Sequence, residues 1–358
     1  MDIKELFKVL VEREASDLFL RTLARPHIRL LGKVQKISDD VISKEAMMSI
    51  CDRLLESETR KRQFVEDQDI DFIHDEVGVG RFRINIFMQR GSLGLVARYV
   101  HSMIKTFDDL SLPNSLLTTF CKNTKGMFLA CGPAGNGKST MIASMINYIN
   151  SISEKHIMTL EDPIEYLFKD DKCIINQREI GLDVADYPTA LKYVTQQSPD
   201  IIYIGNVRDE ETMRAAITAT ELGTFVMSTF HTVNCVQTII RIINFFPPHM
   251  HDEIRMQLSM ILKGIVSLRL LEKSDGSGRV PAIETMVMTP TISRLVREGK
   301  IREIQGYIEE GELFGMQSFK QSLVGLVQCG FVSEDEAGQY ADSRDDFNLA
   351  IKGINKST

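Results

Sequence analysis

The chain has 358 residues, of which 43% are hydrophobic and 25% are charged, as in an ordinary globular protein with room for two or three domains. Its formal net charge of −7 argues against a globally basic protein that binds nucleic acid, so no nucleic-acid partner is expected. The six cysteines lack zinc-site spacing, which disfavours a zinc site. No apolar run approaches the roughly 18 residues of a membrane span, so we expect a cytoplasmic protein.

Residues 1–105 are predicted to form a small domain in which a helix is followed by mixed strands and helices. The opening stretch MDIKELFKVLVERE is an amphipathic helix with charges throughout, unlike a secretory signal. In the predicted strand RFRINIF, Arg81, Arg83 and Asn85 share one face. Taken alone, two arginines on one strand face usually indicate a solvated surface. The polar segment 106–115 contains a proline and is predicted to be the domain linker.

From residue 116 to residue 290, short apolar runs alternate with helical segments, which is typical of an α/β domain. The runs are GMFLAC, HIMTL, DIIYIG and TFVMSTF. Each is followed by polar or glycine-rich residues, so they predict parallel strands that are buried on both faces. Residues 291–358 are predicted to be helical, with a capping box at Ser333 and Glu336.

The segment GPAGNGKST fits the pattern GxxxxGK[ST] between a predicted strand and a predicted helix, which makes a chance match improbable. Its glycines let the backbone wrap a phosphate closely, and the helix N-terminus adds partial positive charge. Lys138 is expected to reach the β- and γ-phosphates of ATP, and Ser139 is expected to bind Mg²⁺. The predicted nucleotide-binding residues are Gly132, Pro133, Ala134, Gly135, Asn136, Gly137, Lys138, Ser139 and Thr140.

Three carboxylates, Glu161, Asp162 and Glu165, follow the next predicted strand. Pro163 disfavours helical geometry at Asp162, so the acids are expected to cluster in a turn at the carboxyl edge of the sheet, where ligands bind. Roles in Mg²⁺ binding and in positioning water fit this place. The alternative is an acidic helix N-terminus whose carboxylates stabilise the helix dipole.

Two further strand ends contribute polar side chains to the same edge. His231 follows the strand TFVMSTF, where it either senses the γ-phosphate or is a structural histidine with satisfied hydrogen bonds. Asn206 follows DIIYIG, at a place where a phosphate-handling ATPase is expected to hold a catalytic carboxylate. An amide there cannot accept a proton, so the base lies elsewhere or ATP is hydrolysed poorly.

These segments, in this order, resemble the PilT/PilU family of type IV pilus retraction motors within the secretion ATPase superfamily, over nearly the whole chain. RFRINIFMQRG is similar to a strand of the family's N-terminal domain, and GPAGNGKST is similar to its Walker A motif. LEDPIE resembles the aspartate box, with Glu165 at the functional glutamate, and STFHT resembles the histidine box. INQREIGLD and IGNVRDEETMRAAITATELGT resemble the segments around Walker B. TISRLVRE is a looser copy of the retraction signature, and the ending ADSRDDFNLAIK favours a PilU-like paralogue.

The resemblance implies a PAS-like α+β N-terminal domain, a RecA-like P-loop ATPase domain and a helical C-terminal region. It further implies a cytoplasmic hexamer at the base of a pilus machine, bound peripherally to an inner-membrane platform protein and working with a sister retraction motor. Nucleotide would lie between the two domains, with Arg83 and Arg98 closing on it. This implication revises the surface interpretation of Arg83, because a guanidinium fork suits the charge of a transferring phosphoryl group.

Three features depart from the family pattern. Asn206 stands at the Walker B glutamate, and Thr224 stands at the first histidine of the histidine box. An arginine-rich helix before Walker B is reduced to Lys192, Gln196 and Gln197. General-base help is typically worth roughly 10²–10⁴-fold in rate, so intrinsic turnover could fall by that factor while nucleotide binding persists.

Three functions remain open on the sequence. The first is an ATP-driven pilus retraction motor or its accessory motor, favoured by Glu161, Glu165, His231 and the retraction signature. The second is a nucleotide-binding regulatory or structural subunit with little hydrolysis of its own, favoured by Asn206. The third is a secretion ATPase of the same superfamily, which would not explain the C-terminal signature.

Overall fold

The computed structural model describes residues 2–30, 32–100 and 103–354, which form an α/β protein with two sheets. The chain divides into two compact units, Met1–Met103 and Ile104–Thr358. Within the described residues, every helix is too short or too polar to span a lipid bilayer.

The first unit is built on a six-stranded antiparallel sheet of order β3-β2-β1-β6-β5-β4. Its elements are α1 (Ile3–Glu12), β1 (Asp17–Arg21), β2 (His27–Leu30), β3 (Lys33–Lys36), α2 (Lys44–Leu54), α3 (Glu58–Asp67), β4 (Asp69–Glu76), β5 (Gly80–Gln89) and β6 (Ser92–Val100). Helix α1 is amphipathic because its apolar residues recur at helical spacing, and it buries Phe7 against Phe82 of β5 with the two rings stacked 4.0 Å apart.

The second unit is built on a seven-stranded sheet of order β13-β12-β7-β11-β10-β8-β9. Its strands are β7 (Gly126–Cys131), β8 (His156–Glu161), β9 (Ile174–Glu179), β10 (Ile201–Ile204), β11 (Phe225–Phe230), β12 (Leu262–Glu272) and β13 (Arg279–Val287). All neighbouring strands pair in parallel except β12 and β13, which form an antiparallel pair. Every residue of β7 and β11 is buried because helices cover both faces of the sheet.

Helices of the second unit pack on both faces of its sheet and around the β12–β13 pair. They are α4 (Asn114–Cys121), α5 (Lys138–Ile152), α6 (Tyr187–Val194), α7 (Glu210–Glu221), α8 (Cys235–Ile243), α9 (His251–Ile261), α10 (Pro290–Glu298), α11 (Ile304–Glu309), α12 (Phe319–Gln328), α13 (Glu334–Tyr340) and α14 (Arg344–Ile351). Short 3₁₀ turns cover Thr195–Gln197, Pro248–Met250, Ile301–Glu303 and Glu312–Phe314.

The segment 106–115, predicted to be a linker, lies in the second unit. Its Phe107 and Leu112 are buried in the core cluster that also contains Phe128 of β7. These two apolar side chains anchor a stretch that is otherwise polar. Helix α4 begins within the same segment, at Asn114.

The C-terminal helices α12, α13 and α14 pack against the β12–β13 pair. Arg269 of β12 stacks on Phe319 of α12, with 3.8 Å between the guanidinium carbon and the ring centroid. The same guanidinium donates to the Tyr340 carbonyl and to Asp342 Oδ1, which lies 2.8 Å away. The Ser333 half of the predicted capping box forms at the start of α13, but the Glu336 carboxylate accepts from the backbone of Glu272 instead.

Phe347 is the buried residue of α14, so its truncation should release this helix. Phe347→Ala should lower the free energy of local opening by about 3 kcal/mol or more, as for other buried phenylalanines. Hydrogen exchange of the α14 amides measures this opening, and Asn348→Ala on the exposed face of the same helix is the matched control. Unchanged protection of α14 in Phe347→Ala would contradict the packing.

Candidate functional site

The candidate site lies at the carboxyl edge of the parallel strands, where four loops emerge together. Cys131, the last residue of β7, is the Cα partner of Phe230, the last residue of β11. Ile204 of β10 pairs with Leu160 of β8, so these two strands end at the same level. The glycine-rich loop 132–137, the acidic turn after β8, Asn206 and His231 therefore follow neighbouring strand ends.

The glycine-rich loop 132–137 has a backbone shape that L side chains resist. Gly132, Gly135 and Gly137 have φ angles of 141°, 76° and 82°. A Cβ atom on Gly132 would also lie 2.5 Å from the carbonyl oxygen of Leu268. The Asn136 Oδ1 atom accepts from the backbone N–H of Leu270 at 2.7 Å, which fixes the loop to β12. Helix α5 begins immediately after the loop.

Lys138 is the first residue of α5, and its side chain folds back over the loop. Only 6% of the residue is exposed, and its ammonium group donates to the carbonyls of Gly132 at 2.9 Å and Pro133 at 2.8 Å. Its Nζ atom also lies 3.4 Å from Nδ1 of His231. Burial lowers the pKa of Lys138 because it disfavours the charged form. The arrangement holds a concentrated positive charge at the mouth of the loop.

The three acids at the end of β8 and in the turn that follows lie in different environments. Glu161 is 5% exposed and accepts from Thr159 Oγ1 at 2.7 Å and Gln177 Nε2 at 3.2 Å. Desolvation raises the pKa of Glu161 to about 7 despite these hydrogen bonds. Glu165 is exposed, and Asp162 lies 4.0 Å from Arg208 Nη1. No helix follows β8 before β9 in this described segment, so the alternative of an acidic helix N-terminus is wrong.

Asn206 and His231 flank the charged mouth of the loop. Asn206 is 8% exposed, and its Oδ1 atom has no hydrogen-bond partner among the described residues. His231 is exposed, and partial burial together with the positive charges of Lys138 and Arg208 lowers the pKa of its imidazole. Near neutral pH, His231 is therefore neutral and can accept or donate one hydrogen bond at the site.

The structure adds side chains that sequence reasoning did not select. Tyr166 lies 2.8 Å from Thr140 Oγ1, joining the acidic turn to the first turn of α5. Gln177 of β9 contacts both Glu161 and the backbone of Tyr166. Tyr203 of β10 interacts with the Ser139 side chain. Gln177 lay in the motif-like stretch INQREIGLD and Tyr203 in the apolar run DIIYIG, but nothing in the sequence assigned either side chain to the site, and Tyr166 gave no sequence signal.

Arg83 and Arg98 lie in the first unit, so the second unit does not supply them to the residues at the carboxyl edge of its own sheet, which we call the strand-edge cluster: Lys138, Glu161, Glu165, Asn206 and His231. They are direct cross-strand partners on β5 and β6. Arg83 is paired with Asp71, with 2.9 Å between Nε and Oδ2, and Arg98 is paired with Asp17, 2.9 Å away. Asp17 is 4% exposed and also pairs with Arg29. Both predicted arginines are therefore positioned by carboxylates of their own sheet.

The position of Thr224 differs from that of the strand-edge cluster. Thr224 precedes β11, whereas His231 follows it, so the two residues lie at opposite ends of one strand. In the part of the chain that the structure describes, no cluster of three or more acidic, histidine or cysteine residues is arranged to hold a metal ion. A metal at this edge would need oxygen ligands such as the Ser139 hydroxyl together with those of a bound anion.

Comparisons with known proteins agree with this architecture. Residues 2–328 match the family described as Type II/IV secretion system protein. The chain is 36% identical to the Type IV pilus ATPase PilU of Pseudomonas aeruginosa, over 98% of this chain and 92% of that protein. It is also 36% identical to the Type IV pilus retractation ATPase PilT of the same organism, over 97% and 100% of the two chains.

A solved structure extends the likeness to three dimensions. The crystal structure of the pilus retraction motor PilT with bound ADP superposes with a TM-score of 0.88 at 37% sequence identity, covering 97% of this chain and 98% of that chain. The resemblance noted in the sequence is thereby confirmed. The chain belongs to the type II/IV secretion system protein family, among relatives named as the type IV pilus ATPases PilT and PilU.

Proposed function

We propose that this chain is a P-loop ATPase that powers or assists type IV pilus retraction, and hence twitching motility. The observation that supports this most directly is the buried Lys138 ammonium at the mouth of the glycine-rich loop, within the electrostatic reach of the Glu165 carboxylate. In this proposal the second unit is a RecA-like ATPase domain and the first unit is PAS-like. The names of the PilT and PilU relatives supply the pilus context.

The loop residues fit the phosphates of a nucleoside triphosphate. Among the described residues, the Lys138 ammonium group contacts two backbone carbonyls and a neutral imidazole, so phosphate oxygens would be stronger partners for its charge. The Ser139 hydroxyl, half-buried at the start of α5, would hold Mg²⁺ bound to the nucleotide. The ion would neutralise phosphate charge, while residues 132–140 position the chain of phosphates.

In this proposal, Glu161 and Glu165 take over the activation of water that a Walker B glutamate would otherwise provide. Glu165 is exposed, so its carboxylate is the one that water reaches most freely, and we propose it as the group that accepts a proton from water. Glu161, with a pKa of about 7, is partly protonated near neutral pH and is held by Thr159 and Gln177. Asn206 can orient water but cannot take its proton. We infer an ATPase with weak intrinsic turnover.

Assembly is the second part of the proposal. We propose a homohexamer in the cytoplasm, bound peripherally to an inner-membrane platform protein and working with a sister retraction motor. Arg83 and Arg98 would stabilise phosphoryl charge in the assembled state, which requires them to exchange Asp71 and Asp17 for phosphate oxygens.

A second candidate function is a nucleotide-binding regulatory or structural subunit. The specific observation in its favour is the uncharged Asn206 at the strand end, because a subunit that signals nucleotide state needs binding more than turnover. A secretion ATPase of the same family is the third candidate. It shares the loop and the acids, but it gives no reason for the retraction-like helix α10, which buries Ile292 and Leu295 and exposes Arg297.

Removal of the loop lysine should abolish tight nucleotide binding. Lys138→Ala deletes a charge-assisted contact, so affinity for a fluorescent ATP analogue should fall about tenfold or more. Lys192→Ala, which removes an exposed lysine of α6, is the matched control and should bind as the wild type does. Wild-type affinity in Lys138→Ala would overturn the assignment of the loop.

A hexamer should form with nucleotide. Light scattering of the full chain with Mg-ATP should give six times the mass of one chain. The Lys138→Ala variant is the comparison, because assembly driven by nucleotide should weaken when binding weakens. A monomer at every concentration and in every nucleotide state would count against the assembly.

Restoring a carboxylate should raise turnover. Asn206→Glu returns an acid to the strand end, and steady-state ATPase should rise by up to roughly 10²-fold, the lower end of general-base effects. Asn206→Gln has the same length without charge and should give no increase, while Glu165→Gln should reduce wild-type turnover. Brisk wild-type hydrolysis that Glu165→Gln abolishes and Asn206→Glu leaves unchanged would show that Glu165 alone suffices.

A further inference from the structure

A cavity of about 290 Å³ opens beside the mouth of the glycine-rich loop. Residues after β10, residues at the end of β11 and one residue of α8 line it. They are Asn206, Val207, Arg208, Phe230, His231, Thr232 and Arg241. The cavity is next to the loop because His231, one of its walls, lies 3.4 Å from Lys138 Nζ. Its volume is close to the roughly 300 Å³ at the lower end of ligand-binding pockets, so it has room for a small ligand.

The charged side chains that line this cavity are cationic. Arg208 is paired with Asp162 only at 4.0 Å, and both side chains are largely exposed, so the pair is weak. Arg241 lies over the ring of Phe245, 5.6 Å from its centroid, and has no carboxylate within ion-pair distance in the described part of the chain. Neither Asp nor Glu is among the lining residues. Such a wall attracts an anion.

Asn206, in the wall of the cavity, carries an unsatisfied acceptor. The Oδ1 atom of Asn206 is buried and lacks a partner among the described residues. A buried acceptor without a donor typically costs 1–3 kcal/mol, so a ligand that supplies a donor gains this energy. A ligand that combines anionic oxygens for the arginines with a hydrogen-bond donor for the amide would therefore fit both features of the wall. The Thr232 hydroxyl, another polar group of the wall, is already hydrogen-bonded to Thr238 Oγ1, 2.6 Å away.

We propose that this cavity binds inorganic phosphate, the product of the ATP hydrolysis proposed above, after it leaves the loop. Hydrogen phosphate has charged oxygens for the guanidinium forks of Arg208 and Arg241, and it retains one O–H for Asn206. The inference rests on the proposed function for the source of the phosphate, but the binding itself depends only on the lining residues.

This assignment gives the amide at position 206 a role of its own. A glutamate at the same strand end would place a negative charge against the phosphate and would expel it. Asn206 offers an acceptor without that repulsion, so the protein holds the product longer. Compared with a glutamate, the asparagine at position 206 thus removes a base and creates a site for phosphate. Both effects slow the cycle of ATP hydrolysis and product release.

Equilibrium dialysis with radiolabelled inorganic phosphate tests the site in the full-length protein. The measurement is made with and without ADP, at ionic strength held constant with sodium chloride. Saturable binding is expected, and Arg241→Gln should weaken it about tenfold or more because a charge-assisted pair is lost. Arg214→Gln is the matched control, since Arg214 also stacks on a phenylalanine, Phe246, but does not line the cavity. Phosphate affinity in Arg241→Gln equal to that of the wild type would overturn the proposal.

Sulfate separates the role of the amide from that of the arginines. It has the shape and charge of hydrogen phosphate but no O–H near neutral pH. It should therefore compete more weakly than phosphate in the wild type, and the difference should vanish in Asn206→Leu, which keeps the volume of the side chain. Equal competition by the two anions in the wild type would overturn the contact to Asn206.

Binding of a fluorescent ADP analogue distinguishes this inference from the proposed function. Wild type that binds ADP but not phosphate overturns the cavity assignment and leaves the ATPase proposal intact. Wild type that binds phosphate, with loss in Arg241→Gln, but no nucleotide overturns the ATPase proposal and supports the cavity. If Arg241→Gln also loses ADP binding through misfolding, Arg208→Gln in the exposed loop supplies the same measurement, with the same expected loss.

Discussion

The register between β7 and β11 is the constraint on which the site depends. Cys131 and Phe230 are Cα partners at the ends of two strands that are buried at every residue. Gly132 and His231 therefore emerge side by side, and the turn after Gly132 brings Lys138 back to within 3.4 Å of His231. A slip of one residue would exchange the two faces of β11 and turn His231 away from the loop. Because helices pack on both faces of the sheet, such a slip would also disrupt the packing of the β11 side chains against these helices.

The sequence predicted the parts of this molecule whose signals are local. The glycine-rich loop, the strand that precedes it and the helix that follows it all lie within a short stretch, and the chain order of strand ends placed His231 and Glu161 at one edge. Contacts between distant segments were beyond such reasoning. The burial of Glu161 depends on Gln177 from β9, and the ion pair of Arg98 depends on Asp17, which is 81 residues away. The linker prediction relied on polarity and Pro113, whereas Phe107 and Leu112 bind that segment to the core.

Two neighbouring carboxylates in this site show how environment sets chemistry. Glu161 ends a buried strand, where desolvation brings its pKa to about 7, while Glu165 lies four residues later in an exposed turn. Asn206 lies at the matching strand end, where an acid would add a further negative charge to the same small region. Had that position also been acidic, repulsion among the acids would have raised the pKa of Glu161 further and weakened the attraction for phosphate. The amide thus leaves the site more positive and less basic.

Arg269 and Leu270 are consecutive residues of β12 with different attachments. The guanidinium of Arg269 holds Tyr340, Asp342 and Phe319 of the C-terminal segment, and the backbone N–H of Leu270 holds Asn136 of the glycine-rich loop. The loop and the C-terminal helices are therefore attached to adjacent residues of one strand. A change in the backbone of β12 at this point would disturb the anchor of the glycine-rich loop and the packing of the C-terminal helices together.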